Sequence, residues 1–264
     1  MRVRFVGLLS AACVLAAPGA ARADEAPDPH AVQPERPSVA THAHTVAPGW
    51  VEIEVGLERD QLADGSRDLG APLETKVGLA RRLQLSLFTP WQRVGTGEKA
   101  QAGVGDFAAG VKWRLTDRAP LLGDFALLPV LKLPTGSASR GTGTGTTDAS
   151  LAVISSHGLG PVSLDVNVGC TRRSGDGHVA PRAATLWTVS AGWPLWRWLA
   201  GGAEIYGLPG TSGPAGQRPV VALLAGPSAT PLPWLEVDAG LIVPIVGPQP
   251  HAVFAGFVWN LGRL

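Results

Sequence analysis

The feature that most constrains this chain is a two-residue alternation, repeated in pieces of about ten residues, the length a tilted strand needs to cross a bilayer. Val51, Ile53, Val55 and Leu57 alternate with Glu52, Glu54, Gly56 and Glu58. Leu73, Thr75, Val77 and Leu79 alternate with Glu74, Lys76, Gly78 and Ala80. Val162, Leu164, Val166, Val168 and Cys170 alternate with Ser163, Asp165, Asn167, Gly169 and Thr171. Successive side chains of a strand point to opposite sides, so each piece reads as a strand with one apolar face. Further pieces at 83–88, 103–115, 125–133, 149–156, 187–193, 199–207, 220–226, 235–241 and 253–261 bring the tally to about twelve, an even number within the range of transmembrane barrels. The piece at 220–226 is apolar on both faces.

A secreted β-sandwich also alternates, so the placement of charge has to decide. The apolar faces carry no charge between their ends. The opposite faces collect Glu52, Glu54, Glu74, Lys76, Asp106, Lys112, Arg114, Lys132, Asp165, Glu204, Glu236 and Asp238, which are expected to face a lumen and line a solute path. A Lys or Arg on the lipid side at the midplane costs about 2–4 kcal/mol, which accounts for the sorting. Trp50, Trp91, Trp113, Trp193, Trp196, Trp198, Trp234 and Trp259 sit at or near piece ends, where interfacial girdles place amphipathic rings. In hydrocarbon every backbone N–H and C=O needs an internal partner, so spanning strands must close. The expectation is an all-β, transmembrane antiparallel up-and-down β-barrel of about 12 strands over residues 49–264. Pro129 removes a ladder donor and predicts a bulge or strand end.

The first 23 residues read as a signal peptide: Arg2 and Arg4, an apolar stretch from Phe5 to Ala17, then Pro18 and Ala21-Arg22-Ala23 as a cleavage site. Cys13 lies inside the apolar run, and Ser10 stands where a lipoprotein signal wants leucine. Cleavage leaves Cys170 as the single thiol, on the lipid-facing parity. Residues 24–48 are rich in Pro, Ala and charge with no apolar period, which predicts a disordered lead-in or one folded into a cavity. No later segment is apolar over 18 residues. A net charge of +1 over 264 residues gives no footprint for nucleic acid.

Two glycine-rich runs invite a nucleotide reading, 103-GVGDFAAGVKWRL-115 and 141-GTGTGTTD-148. Neither opens a helix, and the second lacks the Lys-Ser/Thr of a phosphate loop. A barrel hydrolase would show His-x-Ser or G-x-S-x-G, and the chain has neither; Ser156 and His157 are adjacent and so fall on opposite faces. His30, His42 and His44 read as scattered lead-in histidines, so no metal, cofactor or enzymatic activity is expected.

The same stretch, 103–115, followed by LPVLKLPTGSASRGTGTGTTD (128–148), resembles a family of Gram-negative outer-membrane barrels named for a MetA pathway of phenol degradation. The motif residues are Gly103, Gly105, Asp106, Gly110, Lys112 and Arg114, with the L-P-T-G element at Leu133 to Gly136. The resemblance implies a barrel in the cell outer membrane and a transporter of small molecules, aromatic or hydrophobic compounds among them. Lipid and the barrel-assembly machinery are the implied partners. The C-terminal Leu264 departs from the aromatic residue with which such barrels usually end.

Gly78, Ala80, Ala108, Gly110, Gly169, Gly240 and Gly256 on the polar face predict room in the lumen. Glu52, Glu54, Glu236 and Asp238 on one wall against Lys112, Arg114 and Lys132 on the other predict a transverse field or a plugging ion-pair network. Two functions remain: a small-molecule channel, or a non-conducting barrel whose loops (60–70, 93–102, 134–148, 208–217) bind a partner.

Overall fold

The computed structural model describes residues 28–62, 65–178, 181–212 and 218–264. The signal-peptide segment 1–23 lies outside them. In chain order the strands are β1 (Trp50–Gln61), β2 (Arg67–Ala71), β3 (Leu73–Ala80), β4 (Leu83–Phe88) and β5 (Trp91–Val94). They continue with β6 (Gln101–Val104), β7 (Phe107–Ala119), β8 (Gly123–Leu133), β9 (Asp148–Leu159) and β10 (Val162–Arg173). The last five are β11 (Ala183–Trp196), β12 (Leu199–Leu208), β13 (Val220–Leu232), β14 (Leu235–Val246) and β15 (His251–Arg263).

Twelve of them close a ring of antiparallel neighbours, running β1, β3, β4 and then β7 through β15 in order. The seam is β1 against β15, in register from Trp50–Arg263 to Gln61–His251 with one irregularity after Val51. Closure leaves the ring no unpaired edge, as hydrocarbon requires. These twelve spans are the twelve pieces read from the sequence.

The other three strands are continuations. Pro72 separates β2 from β3, Thr89 and Pro90 separate β4 from β5, and Gly105 and Asp106 separate β6 from β7. Bonds from Gly56 N to Pro72 O (3.0 Å), Thr89 N to Leu73 O (2.9 Å) and Gly105 N to Pro90 O (2.7 Å) carry the ladder across the breaks. The parts of 60–70 and 93–102 expected as loops therefore belong to a strand apron, β1–β2–β5–β6, above one rim. Connections at that rim are long, with 134–147 the fullest; residues 213–217 lie outside the described ones. At the opposite rim tight turns at 81–82, 120–122, 160–161, 197–198 and 233–234 join the strands.

The surfaces are inverted relative to a water-soluble protein. Leu57, Leu79, Val111, Leu131, Val168 and Val189 are exposed on the outside, and Cys170 is exposed on the same parity. Glu52, Lys76, Lys112 and Glu204 are buried inside. The double-apolar piece in β13 divides accordingly, with Ala222 and Leu224 inside and Leu223 outside. Exposed Trp193, Trp196, Trp198 and Trp259 gather toward the short-turn rim, and Trp91 stands at the apron. Pro129 marks neither a bulge nor an end: it pairs with Leu151 inside a continuous β8–β9 ladder. On its other side Gly110–Val130 and Trp113–Leu127 keep one register, so the missing N–H leaves only a local gap.

Candidate functional site: the lumen and its lead-in

Of the two expectations for the lead-in, the described residues lie as a segment folded into a cavity. Residues 28–48 form no regular element, yet they thread the lumen in a circuit around its inner wall. At the short-turn rim His30 lies against Trp50 and Trp234, with ring centroids 5.1 and 6.1 Å apart, and Val32 N bonds Pro233 O at 2.9 Å. Gln33 N donates to Glu52 (2.8 Å), and Glu35 N and Arg36 N donate to the two oxygens of Glu54 (2.8 and 3.1 Å). The Arg36 guanidinium reaches Asp238 on β14. Val39 N and Ala40 N both donate to Glu204 on β12 at 2.9 Å. Thr41 N follows to Asn167 on β10 (2.7 Å), Ala43 N to Ser156 on β9 (2.8 Å) and Val46 N to Gln84 on β4 (2.9 Å). The circuit closes where Gly49 N bonds Gly78 O on β3 at 2.8 Å. An extended segment has no internal partners for its N–H groups, so the wall carboxylates and amides supply them.

The inner-face glycines are what let this chain lie so close. A β-carbon at Gly78 would sit 2.5 Å from Val46 O, and one at Gly56 or Gly256 would fall 2.5 Å from the Arg36 guanidinium group. The room foreseen from small residues exists here, but the lead-in occupies it. Gly110 serves otherwise: its β-carbon would meet Pro129 O at 2.9 Å, so it allows tight strand packing and does not widen a passage.

The predicted lumen residues divide into groups. Lys76 contacts Glu52 and Glu54 at 2.6 and 2.5 Å and donates to Gln33 O. Lys112 pairs with Glu35 and bonds the carbonyls of His42 and His44 at 3.0 and 3.3 Å. Arg114 lies nearer the short-turn rim, bonded to Arg81 O and paired with Asp117 at 3.2 Å. Asp165 accepts from Ser156, and Glu236 from Thr230 (2.9 Å). Glu74 keeps one buried carboxylate oxygen, Oε1, with no hydrogen-bond partner among the described residues. Lys76 is thus matched by wall glutamates, whereas Lys112 and Asp238 take lead-in counter-ions, Glu35 and Arg36. Sequence reasoning missed these two, and also missed Gln84, Ser156, Asn167 and Ser190, the neutral groups that hold the lead-in. The counter-ions could have been sought in the charged Pro-rich segment, whereas single neutral polar residues give no pattern.

Asp106 and Lys132 do a different job, at the long-loop rim. Asp106 accepts from Gly136 N (3.0 Å), Thr144 N (2.9 Å), Thr144 Oγ1 (2.9 Å) and Lys132 Nζ (2.8 Å), which pins the 134–147 loop. Burial pushes the carboxyl up, but Lys132 and these donors outweigh it and hold Asp106 below the usual aspartate range. Gly136 and Gly143 are glycines because a β-carbon there would strike the loop backbone, at 2.9 Å from Gly105 C and 2.7 Å from Gly136 C respectively. The glycine–aspartate run that suggested a phosphate cradle is a loop anchor.

The lumen holds a space on either side of the described lead-in. One, about 520 Å³, lies toward the short-turn rim among His42, His44, Asp124, Asp165 and Glu236. The other, about 540 Å³, lies toward the long loops; Glu35 to Thr41 form its floor, and Leu73, Phe88, Leu128, Leu224, Ile242 and Phe254 its walls. The Ile242 and Phe254 wall belongs to a buried apolar cluster with Tyr206 and Leu224 on the inner face.

A Ser–His pair does exist, one residue from the pair considered in the sequence: Ser155 Oγ is 2.9 Å from His157 Nε2. The hydroxyl also lies 2.8 Å from Leu122 O, to which it can donate.

The model of the family described as "Putative MetA-pathway of phenol degradation" matches residues 35–240. The chain belongs to this family. The match begins inside the lead-in at Glu35 and ends within β14, so the family's segment includes most of the circuit and the strands from β1 to β13. Among solved structures, an outer membrane channel from Pseudomonas putida F1 superposes with a TM-score of 0.62 at 14% identity, covering 83% of this chain and 98% of that one. The KdgM porin gives 0.54 at 12% identity over 79% and 98%, and the NanC porin 0.52 at 6% over 80% and 98%. These likenesses establish that the phenol-degradation family member has the fold of outer-membrane barrels. No curated protein matches it in sequence.

Proposed function

We propose that the protein is an outer-membrane channel for small molecules, with aromatic or other hydrophobic compounds as its solutes, whose lumen is divided by its own lead-in. The observation that carries this reading is the pair of chambers, about 520 and 540 Å³, on either side of one layer of chain inside a closed barrel. The apolar walls of the second chamber suit hydrophobic solutes, as does the family's association with phenol degradation. Related barrels of the same fold are described as a channel and as porins. In such barrels the short turns face the periplasm and the long loops the outside, which makes the apolar chamber the outer one.

On this reading residues 1–23 direct export and are removed, the barrel-assembly machinery inserts strands 49–264, and lipid covers Leu57, Val168 and their neighbours. The wall residues from Glu52 to Asp238 form the solute path once the lead-in shifts. With the lead-in seated, Lys112 and Asp238 are paired by Glu35 and Arg36, so a transverse field develops only on its withdrawal. No catalytic role is assigned.

The seated lead-in favours one other reading, a permanently shut structural barrel. Liposome swelling with sugars, amino acids and aromatic acids, alongside planar-bilayer conductance, separates the two. The channel predicts flux of aromatic solutes. Absence of flux and conductance in both the full chain and a Gly78→Leu variant, whose side chain displaces the lead-in, would overturn it.

A further inference from the structure

We infer that the outer chamber is a binding site for small organic cations, molecules with an apolar body and a protonated amine. The inference deepens the channel reading, on which it rests for the chamber's place along a solute route. Leu73, Phe88, Leu128, Leu224, Ile242 and Phe254 offer apolar walls and two aromatic faces. Glu58 and Glu74 line the same space from β1 and β3. Ser86 holds the Glu74 carboxyl through one oxygen, and its other, Oε1, is buried without a hydrogen-bond partner among the described residues.

The other charges on the lining are already committed. Glu54 accepts from Lys76 and from two lead-in amides, and Glu35 pairs with Lys112. Arg36 is the sole basic side chain among the described lining residues, and its guanidinium is held by Asp238 at 3.1 Å. The chamber therefore has a carboxyl oxygen left over and no free cation on its described lining to meet it. A buried carboxyl oxygen without a partner is costly, and a ligand ammonium relieves that cost while Phe88 and Phe254 line the space around its charge. A neutral ring fills the walls but leaves Glu74 Oε1 unmet, and an organic anion adds repulsion.

The test uses the full chain folded in detergent micelles, titrated calorimetrically with 2-phenylethylammonium, 2-phenylethanol and phenylacetate. The ammonium should bind about tenfold more tightly than the alcohol, as a charge-assisted hydrogen bond allows. In the Glu58→Gln/Glu74→Gln double variant that preference should collapse while the alcohol's affinity stays. Alcohol or phenylacetate binding as tightly as the ammonium to the unaltered protein would overturn the inference, whether or not the variant folds. So would ammonium binding that survives Leu224→Trp, which fills the chamber. Liposome swelling run in parallel keeps the two readings apart. Flux without amine preference in binding removes the cation site and keeps the channel; amine-selective binding without flux does the reverse.

Discussion

Arg36 and Asp238, 202 residues apart in sequence, are joined by two hydrogen bonds of 3.2 and 3.1 Å over a floor formed by Gly56 and Gly256. The pair ties the lead-in to the wall at mid-height, and Asp238 is fully buried in it. Arg36→Ala removes the partner of a buried charge, a loss bounded by about 3–5 kcal/mol, and withdrawal of the lead-in relieves it by admitting water. The expected result is faster hydrogen exchange across residues 33–43 and a higher conductance, with the barrel's heat-modifiable mobility unchanged. Unchanged exchange in that segment would refute the tie.

Glycine substitutions test the same contact sterically. Gly78→Leu and Gly256→Val should unseat the lead-in at two points on the strands that flank β1, because both β-carbons meet its atoms at 2.5 Å in the native arrangement. Gly169→Ala is the control, since its β-carbon meets nothing nearer than 3.7 Å. Hydrogen exchange should rise in the first two and stay at the native level in the third.

Asp106 gives a pH dependence at the rim, outside the spanning segments. Its carboxyl is held below the ordinary aspartate value, so the folded state binds the proton more weakly than the unfolded one. The contribution is complete above the usual value of about 4 and is lost as pH falls through the depressed one. Loop 134–147 should therefore stay protected at neutral pH and exchange freely in strong acid. Asp106→Asn should expose Arg140 to trypsin at neutral pH about tenfold faster, the size expected for losing a charge-assisted bond. Equal cleavage rates would mean that the loop is held elsewhere.

The outer surface predicts a different sensitivity. Val189 lies in the middle of β11, facing outward between Val166 and Ile205. Val189→Arg should destabilise folding into liposomes by about 2–4 kcal/mol, measured as a shift in the urea midpoint. A neutral result would argue that lipid does not touch this face.

The twelve spans were legible because lipid on one side and ions on the other force a strict two-residue period, as in Val162 to Thr171. The apron strands β2, β5 and β6 were not. Above the lipid no face has to be apolar, and Pro72, Pro90 and Gly105 break the runs that would have continued the pattern. The lead-in's position was hidden for a different reason. Its ties at Val39, Ala40, Thr41, Ala43 and Val46 all use backbone N–H groups, which every residue but proline carries, so the side chains at those positions leave no signature. The small inner residues announced a space, and only the three-dimensional arrangement names its occupant.

The circuit of residues 36–49 touches β14, β12, β10, β9, β4 and β3 in turn before the chain enters β1 beside the seam. A tether of fixed length fastened at so many stations acts as a gauge of girth. A ring with a strand more or fewer would leave some of its amides stranded from their carboxylates. Insertions or deletions here would carry amides away from their stations on the wall, so this irregular segment has less freedom in length than the long loops.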